Sequence, residues 1–351
     1  MTTETAVILI DEASEQMRFL GVNLVERAAL SARRAGITRI HIVGRTLPDG
    51  DLVWRLRRRG LVVTCAELKD GVFETAPQTG RLVVIPTDLI VEPRSQFTAR
   101  ISPTTDVPRL EREYLTRANG GDSEGFFTRI IRRFSIPLTR QLVRLPMTAN
   151  QVTLAGFALS LLAGAAFSLG GYWWGIGGAL LYYASMILDC SDGEVARAKL
   201  ADSRLGAWLE TVTDYLSYFA VLGGIVWGDA VVEGFCRHSQ AALVAAPATL
   251  AIIAIVGYQR VRVARANPGA FDDALAAQLG QGSGVQRFGV WGRQLIKRSF
   301  LAHLIVFQAL IGFLPALLEI WAMGAVGALV IVLAIHTHLV NTVRVEPLTA
   351  A

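Results

Sequence analysis

The chain has 351 residues, of which 52% are hydrophobic and only 18% charged, and its mean hydropathy is positive. An ordinary water-soluble globular protein does not carry that balance. The formal net charge of +5 does not indicate a nucleic-acid partner, because the arginines cluster beside apolar runs and are not interleaved with aromatic residues. Anionic head groups or phosphate substrates account for them better.

The first 118 residues mix charge and hydrophobe as a soluble domain does, whereas residues 152–341 hold most of the long uncharged runs. The opening MTTETAVILIDEASEQ places acids close behind a short apolar run with no basic leader, unlike a secretory signal, so residues 1–118 are expected in the cytosol. Strand-like runs (AVILI, TRIHIVG, LVVTC, RLVVIP) alternate there with helix-like ones (NLVERAALSARRAG, DLVWRLRRRG), which predicts a parallel α/β sheet. Cys65, Cys190 and Cys236 are scattered without CxxC spacing, so neither disulfides nor a zinc site are expected and the thiols read as inert.

Residues 119–147 read as a linker and a juxtamembrane helix, the linker being the glycine-rich ANGGDSEG at 118–125. In GFFTRIIRRFSIPLTRQLVRL, Phe126, Phe127, Ile130, Ile131 and Phe134 alternate with Arg129, Arg132 and Arg133. Such a helix has an apolar and a basic face. It lies in the membrane surface or packs on the protein, and the sequence favours neither.

Six apolar stretches follow, at about 152–169, 172–190, 206–228, 241–259, 300–318 and 321–340. Each is near the roughly 20 residues needed to cross a hydrocarbon core. Arg260, Arg262, Arg265, Arg287, Arg293, Lys297 and Arg298 fall in 259–299, and Arg197, Lys199 and Arg204 in 191–205, which places both connections on the cytoplasmic side. Both termini then lie in the cytoplasm, with 342–351 a cytoplasmic tail, and the protein is a multi-pass protein of the cytoplasmic membrane. Trp173 and Trp174 fall where an outer aromatic belt would be. His303, His336 and His338 read as interfacial or helix-bonding groups, and Gly175, Gly177 and Gly178 suit helix pairing.

Residues 189–214 read DCSDGEVARAKLADSRLGAWLETVTD. Asp189 and Asp192 are three apart and Glu210 and Asp214 four apart, so each pair shares one helix face. Clustered acids at a membrane boundary repel one another unless a cation neutralises them. Hard oxygen ligands select magnesium or manganese, and two such ions clamp a pyrophosphate. Gly193 and Gly206 permit close approach of backbone to a nucleotide, and Arg197 is suited to phosphate oxygens.

This segment resembles the motif of the CDP-alcohol phosphotransferases, Asp-x2-Asp-Gly-x2-Ala-Arg-x8-Gly-x3-Asp-x3-Asp. Asp189, Asp192, Gly193, Ala196, Arg197, Gly206 and Asp214 match it, and Glu210 stands where the family has aspartate. TANQVT at 148–153 is similar to the family's lead into its first span, with Thr148 and Asn150 kept and Ala149 in place of proline. The resemblance covers about 124–341. It implies a membrane domain at 148–341 and a metal-dependent transfer from a CDP-alcohol to a hydroxyl acceptor, with CMP released. It further implies that Asp189, Asp192 and Glu210 hold magnesium or manganese, two ions in all. Asp214 would be both ligand and general base, and Gly193, Ala196, Arg197, Gly206, Thr148 and Asn150 would bind the nucleotide. A homodimer is part of the same implication.

Arg260, Arg262, Lys297 and Arg298 lie on the same side as the acids and either bind an acceptor phosphate or serve as positive anchors. The N-terminal part resembles pieces of a sugar-phosphate nucleotidyltransferase, with Asp88 after a strand, but AVILI runs into DEASEQMRFLG with no glycine-rich basic loop to cradle a triphosphate. It is expected to be degenerate, with a regulatory or structural role. The combination is similar to an inositol-phosphate cytidylyltransferase fused to a phosphotransferase, which favours a polyol phosphate somewhere in the reaction. The donor reads as CDP-diacylglycerol or a polar CDP-alcohol such as CDP-inositol. The competing reading is a non-enzymatic member, a binding protein or transporter weakened by Glu210.

Overall fold

The structure, a computed structural model, describes residues 5–10, 17–45, 48–67, 82–92, 97–102, 104–119, 126–262 and 298–342. The chain divides into two compact units. One comprises Met1–Glu124, Arg133–Ala149 and Ser191–Asp202, the other Gly125–Arg132, Asn150–Cys190 and Ser203–Ala351.

In the first unit the runs of β-branched residues form four parallel strands, β1 (Thr5–Leu9), β4 (Arg39–Gly44), β5 (Val62–Glu67) and β6 (Leu82–Pro86), in the order β5-β4-β1-β6. Ile8 pairs with Ile42 and with Ile85 in this register. These are the four strands predicted. Helix α1 (Leu24–Arg34) starts where the Asn23 side chain accepts from the Val25 amide at 2.8 Å, and α2 (Gly50–Arg58) is capped by Asp49. Gly36 and Gly60, at φ +89° and +82°, lie just beyond the helix ends, where the left-handed backbone favours glycine. Two hairpins, β2 (Arg18–Phe19) with β3 (Val22–Asn23) and β7 (Leu89–Glu92) with β8 (Phe97–Arg100), and a helix α3 (Val107–Asn119) complete the N-terminal part. Ala6, Ile8, Val25, Ala29, Ile40, Ile42, Leu56 and Val63 form its apolar core, together with one residue from far along the chain, Leu200.

Helix α4 (Phe126–Leu142) contains Pro137, and α5 (Ala149–Ser168), α6 (Tyr172–Ala198), α7 (Arg204–Glu233), α8 (Arg237–Arg262), α9 (Arg298–Leu310) and α10 (Ala316–Thr342) follow. Among the described residues three helices are long and apolar enough to cross a membrane, at Ala149–Ser168, Leu205–Glu233 and Arg237–Ile255. Trp173, Leu180, Leu216, Trp227, Leu243 and Met323 are exposed apolar side chains of α6, α7, α8 and α10. The fifth predicted stretch, 300–318, is not one helix. Gly312 at φ +72° follows the end of α9, and the chain turns through Pro315 into α10, which therefore begins earlier than the sixth stretch.

Helices α5 and α7 of the second unit touch backbone to backbone. A Cβ on Gly224 would collide with the Gly164 carbonyl, one on Gly228 with the Phe167 carbonyl, and one on Gly164 with the Ala220 carbonyl. Ala220, Gly224 and Gly228 recur every four residues and form a small-residue stripe along α7. Of the glycines suggested for pairing, Gly178 meets the Phe167 ring, Gly175 comes near Leu314, and Gly177 faces open space.

The glycine-rich linker from Gly120 to Gly125, the basic residues Arg265, Arg287, Arg293 and Lys297, and the tail from Val343 onward lie outside the described residues. The side chains of Arg260, Arg262, His336 and His338 lie outside them too.

Candidate active site

Asp189 lies in the second unit, near the end of α6, and Asp214 in the third turn of α7. Both carboxylates are half-buried and both take a hydrogen bond from Nη1 of Arg298, the first residue of α9, at 3.0 Å for Asp189 and in a short contact for Asp214. Arg298, read from the sequence as either an acceptor-phosphate group or a positive anchor, is thus engaged with two of the motif acids. The three residues line a small cavity with Thr153, Gly156, Ser160, Ser185 and Ser217. The Ser160 hydroxyl donates to Ser185 at 3.0 Å beside it. Glu210, one helical turn before Asp214, is exposed.

Two further elements of the expected nucleotide site meet in this unit. A Cβ on Gly206 would lie 3.2 Å from Oδ1 of Asn150 and 3.0 Å from the Ser203 hydroxyl. Ser203 caps α7 by accepting from the Gly206 amide at 3.0 Å. Asn150 of TANQVT and Gly206 of the acidic motif are therefore neighbours, although more than fifty positions separate them in the sequence. Thr148 immediately precedes α5.

The remaining motif residues, Asp192, Gly193, Ala196 and Arg197, belong to the first unit. Asp192 is buried, and its Oδ1 accepts from the Gly193 amide. A Cβ on Gly193 would sit 3.3 Å from the Arg197 guanidinium, so that glycine leaves the arginine room to lie along the helix. Glu194, fully buried, accepts from the hydroxyls of Ser135 and Thr139, each at 2.7 Å. The sequence reading did not single out Glu194. The available signal was two hydroxyls four residues apart on α4, able to present one face to a buried acid.

The donor set fits a divalent metal ion. Asp189 and Asp214 converge on a point already held by a cationic group, the Arg298 guanidinium, and carboxylate oxygens are the ligands magnesium and manganese prefer. A second group of possible ligands, Asp229, Glu233 and Cys236, lies at the other end of α7, with one ligand atom from each within 4.8 Å of the others. There the Cys236 thiol and the Ser239 hydroxyl donate to Asp229 Oδ2 at 3.1 and 3.0 Å. Cys236 is therefore engaged in a polar cluster. His303 contacts the Ser299 carbonyl through Nδ1 at 2.7 Å and the Tyr183 hydroxyl through Nε2 at 3.2 Å, a helix-bonding role.

The described residues thus combine a mostly helical fold with candidate membrane spans, an acidic motif on successive helices and an N-terminal α/β sheet. The sequence profile of the CDP-alcohol phosphatidyltransferases matches residues 146–340, and the chain belongs to that family of enzymes, whose members generally use divalent metal ions. The chain is similar to a bifunctional IPC transferase and DIPP synthase of Aquifex aeolicus, 34% identical over 37% of this chain and 29% of that protein. A phosphatidylinositol phosphate synthase of Mycolicibacterium smegmatis is 30% identical over 37% of this chain and 56% of its own length. An archaetidylinositol phosphate synthase of Methanothermobacter thermautotrophicus is 34% identical over 29% of this chain and 49% of its own. The matches span between 29% and 56% of the length of these three relatives.

Proposed function

We propose that the protein transfers a substituted phosphate from a CDP-alcohol to a hydroxyl of a phosphorylated polyol, an inositol phosphate being the first candidate, and releases CMP. The observation that carries this reading is the convergence of Asp189 and Asp214 on one cationic point within the family motif. The names of the relatives, which make inositol phosphate lipids, support the acceptor class.

Asp189, Asp192, Glu210 and Asp214 are the residues assigned to two magnesium or manganese ions. When bound, such ions neutralise pyrophosphate oxygens and stabilise the leaving phosphate. Asp214 accepts the proton of the acceptor hydroxyl, whose oxygen attacks the β-phosphorus as the bond to the CMP oxygen breaks. A carboxylate is a weak base at neutral pH, so positioning contributes more than proton affinity. Asn150, Gly206, Thr148, Gly193, Ala196 and Arg197 are assigned to the nucleotide. Arg298, with Arg260, Arg262 and Lys297, is assigned to the acceptor phosphate.

In the membrane we read all six apolar helices α5–α10 as spans or partial spans, with the acids and both termini on the cytoplasmic side and a homodimer as the assembly. The basic connections support that orientation. The test is CMP release by the full-length protein in detergent with magnesium, from CDP-diacylglycerol or CDP-inositol, against inositol, glycerol and sugar phosphates. Turnover abolished by Asp214→Asn in a folded protein is the expected result. No CMP release from any donor, or full turnover by Asp214→Asn, overturns the reading.

A further inference from the structure

The first half of the acidic motif, beyond Asp189, is held by the N-terminal sheet unit. Segment Ser191–Asp202, which carries Asp192, Gly193, Ala196 and Arg197, clusters with Met1–Glu124 in one compact unit. Nη1 of Arg27, on α1, donates to the carbonyl of Ala198, the last residue of α6, at 2.8 Å. Terminal carbonyls of a helix lack a partner within it, and a cation there also opposes the helix dipole.

Arg27 itself is buried. Its guanidinium lies 5.0 Å from the Phe19 ring centre and 4.9 Å from that of Tyr114, and these two rings meet edge to face at 5.5 Å. A buried arginine fixed between two rings has little freedom to move from its carbonyl.

Two residues further on, Leu200 adopts φ +52°, a left-handed conformation that leucine rarely takes. Its side chain is buried in the core formed by β1, β4, α1 and α2. Lys199, between these anchors, donates to the carbonyls of Leu145 and Met147 at 2.9 and 2.7 Å. Asp202 pairs with Arg34 of α1. The connection after α6 is thus fastened to the sheet unit by a buried hydrogen bond, an apolar plug and an ion pair.

From these contacts we propose that the N-terminal α/β unit is the positioning scaffold of the donor motif, with Arg27 a positioning residue acting through the last turn of α6 on Asp192, Gly193 and Arg197. This rests on the assignment of those residues to the CDP-alcohol. A unit whose first strand is followed in the sequence by DEASEQMRFLG and not by a glycine-rich basic run then has a physical task, and the coupling runs both ways. Nucleotide bound at the motif stabilises α1, and loosening of α1 weakens donor binding.

The test uses the full-length protein in detergent with Arg27→Met, Arg27→Lys and, as a control on the same unit, Arg58→Gln. Hydrogen exchange reads the segment directly. In Arg27→Met, exchange across 195–203 rises roughly tenfold, the size of one lost charge-assisted hydrogen bond, while β1 and β4 stay protected. The donor KM rises by about the same factor, the acceptor KM is unchanged, and Arg27→Lys recovers part of both effects. Arg58→Gln behaves as wild type.

Unchanged exchange across 195–203 in a folded Arg27→Met protein overturns the proposal, as does an equal rise in both KM values. If Arg27→Met unfolds the sheet, Leu200→Ala, which trims the plug, is judged by the same two readouts. A protein without transferase activity that still shows the localised exchange change keeps the scaffold and removes only the reading of the site.

Discussion

Asp189 and Asp214 sit on successive helices and share one guanidinium, that of Arg298 on α9. Two half-buried carboxylates facing one point repel unless a positive charge lies between them. Asn150 and Gly206 also meet across α5 and α7. The small cavity that holds the two acids is lined from four helices of one unit, α5, α6, α7 and α9.

Replacing Arg298 changes how the site takes up metal. The guanidinium and a divalent ion compete for the same carboxylates, and a partly exposed ion pair is worth up to about 1 kcal/mol. Arg298→Gln should therefore lower the magnesium concentration for half-maximal CMP release by roughly two- to fivefold, while raising the acceptor KM more than the donor KM. A magnesium titration at saturating substrates measures the first effect. An unchanged midpoint shows that the guanidinium does not oppose metal binding.

Glu210 tests how the metal site is built. It keeps the charge of the family aspartate but reaches one methylene further. If the site is arranged around that reach, Glu210→Asp lowers turnover, by about a hundredfold for a misplacement of roughly 1 Å. Higher turnover in the variant identifies a site held below its full rate by the longer side chain. Initial-rate measurements with magnesium and with manganese distinguish the two.

The contact between α5 and α7 leaves no room for side chains. Gly224→Val and Gly228→Val should each cost about 1–3 kcal/mol or more through overpacking. The expected result is a lower melting temperature in detergent. Gly223, beside the stripe but with open space around it, should accept alanine with little change. Equal stability of Gly224→Val and Gly223→Ala would contradict the packing described.

His41 makes the sheet unit sensitive to acid. It is buried in β4, its Nδ1 lies 2.7 Å from the Thr64 hydroxyl, and burial holds its pKa below the usual histidine value. The unfolded chain, at about 6.5, takes up the proton first as pH falls. The stability is thus present above about pH 6.5 and is lost below it, as pH drops through the folded value. Protection factors of β4 amides should fall between pH 7.5 and 5, and His41→Gln should flatten that dependence.

Much of this was legible in the sequence because the signals are local. The runs around Ile8, Ile42 and Val63 alternate with capped helices, and β-branched stretches of that length have few options besides strands. The acidic motif was readable as a family signature for the same reason, since its spacing is local. Tertiary partners were not. Nothing near Arg298 in the chain marks it as the group between Asp189 and Asp214, because that pairing depends on where α9 packs. Arg27 is one of several charges in the helix-like run NLVERAALSARRAG, and only folding shows it at the end of α6. The break after α9 was misread because hydropathy averages over Gly312, whereas a left-handed backbone there ends the helix regardless of how apolar its neighbours are.

The stripe Ala220, Gly224 and Gly228 also acts as a ruler. With backbones in contact, neither helix can slide or roll against the other without driving a carbonyl into a Cα, so the pair behaves as a single stiff rod. Asp214 is six residues from the nearest contact, about 9 Å along the axis. Its height relative to Thr153 and Asn150 is thereby set by atoms that bear no charge and touch no substrate. Mutations in this uncharged stretch are predicted to shift turnover without altering any group that does chemistry.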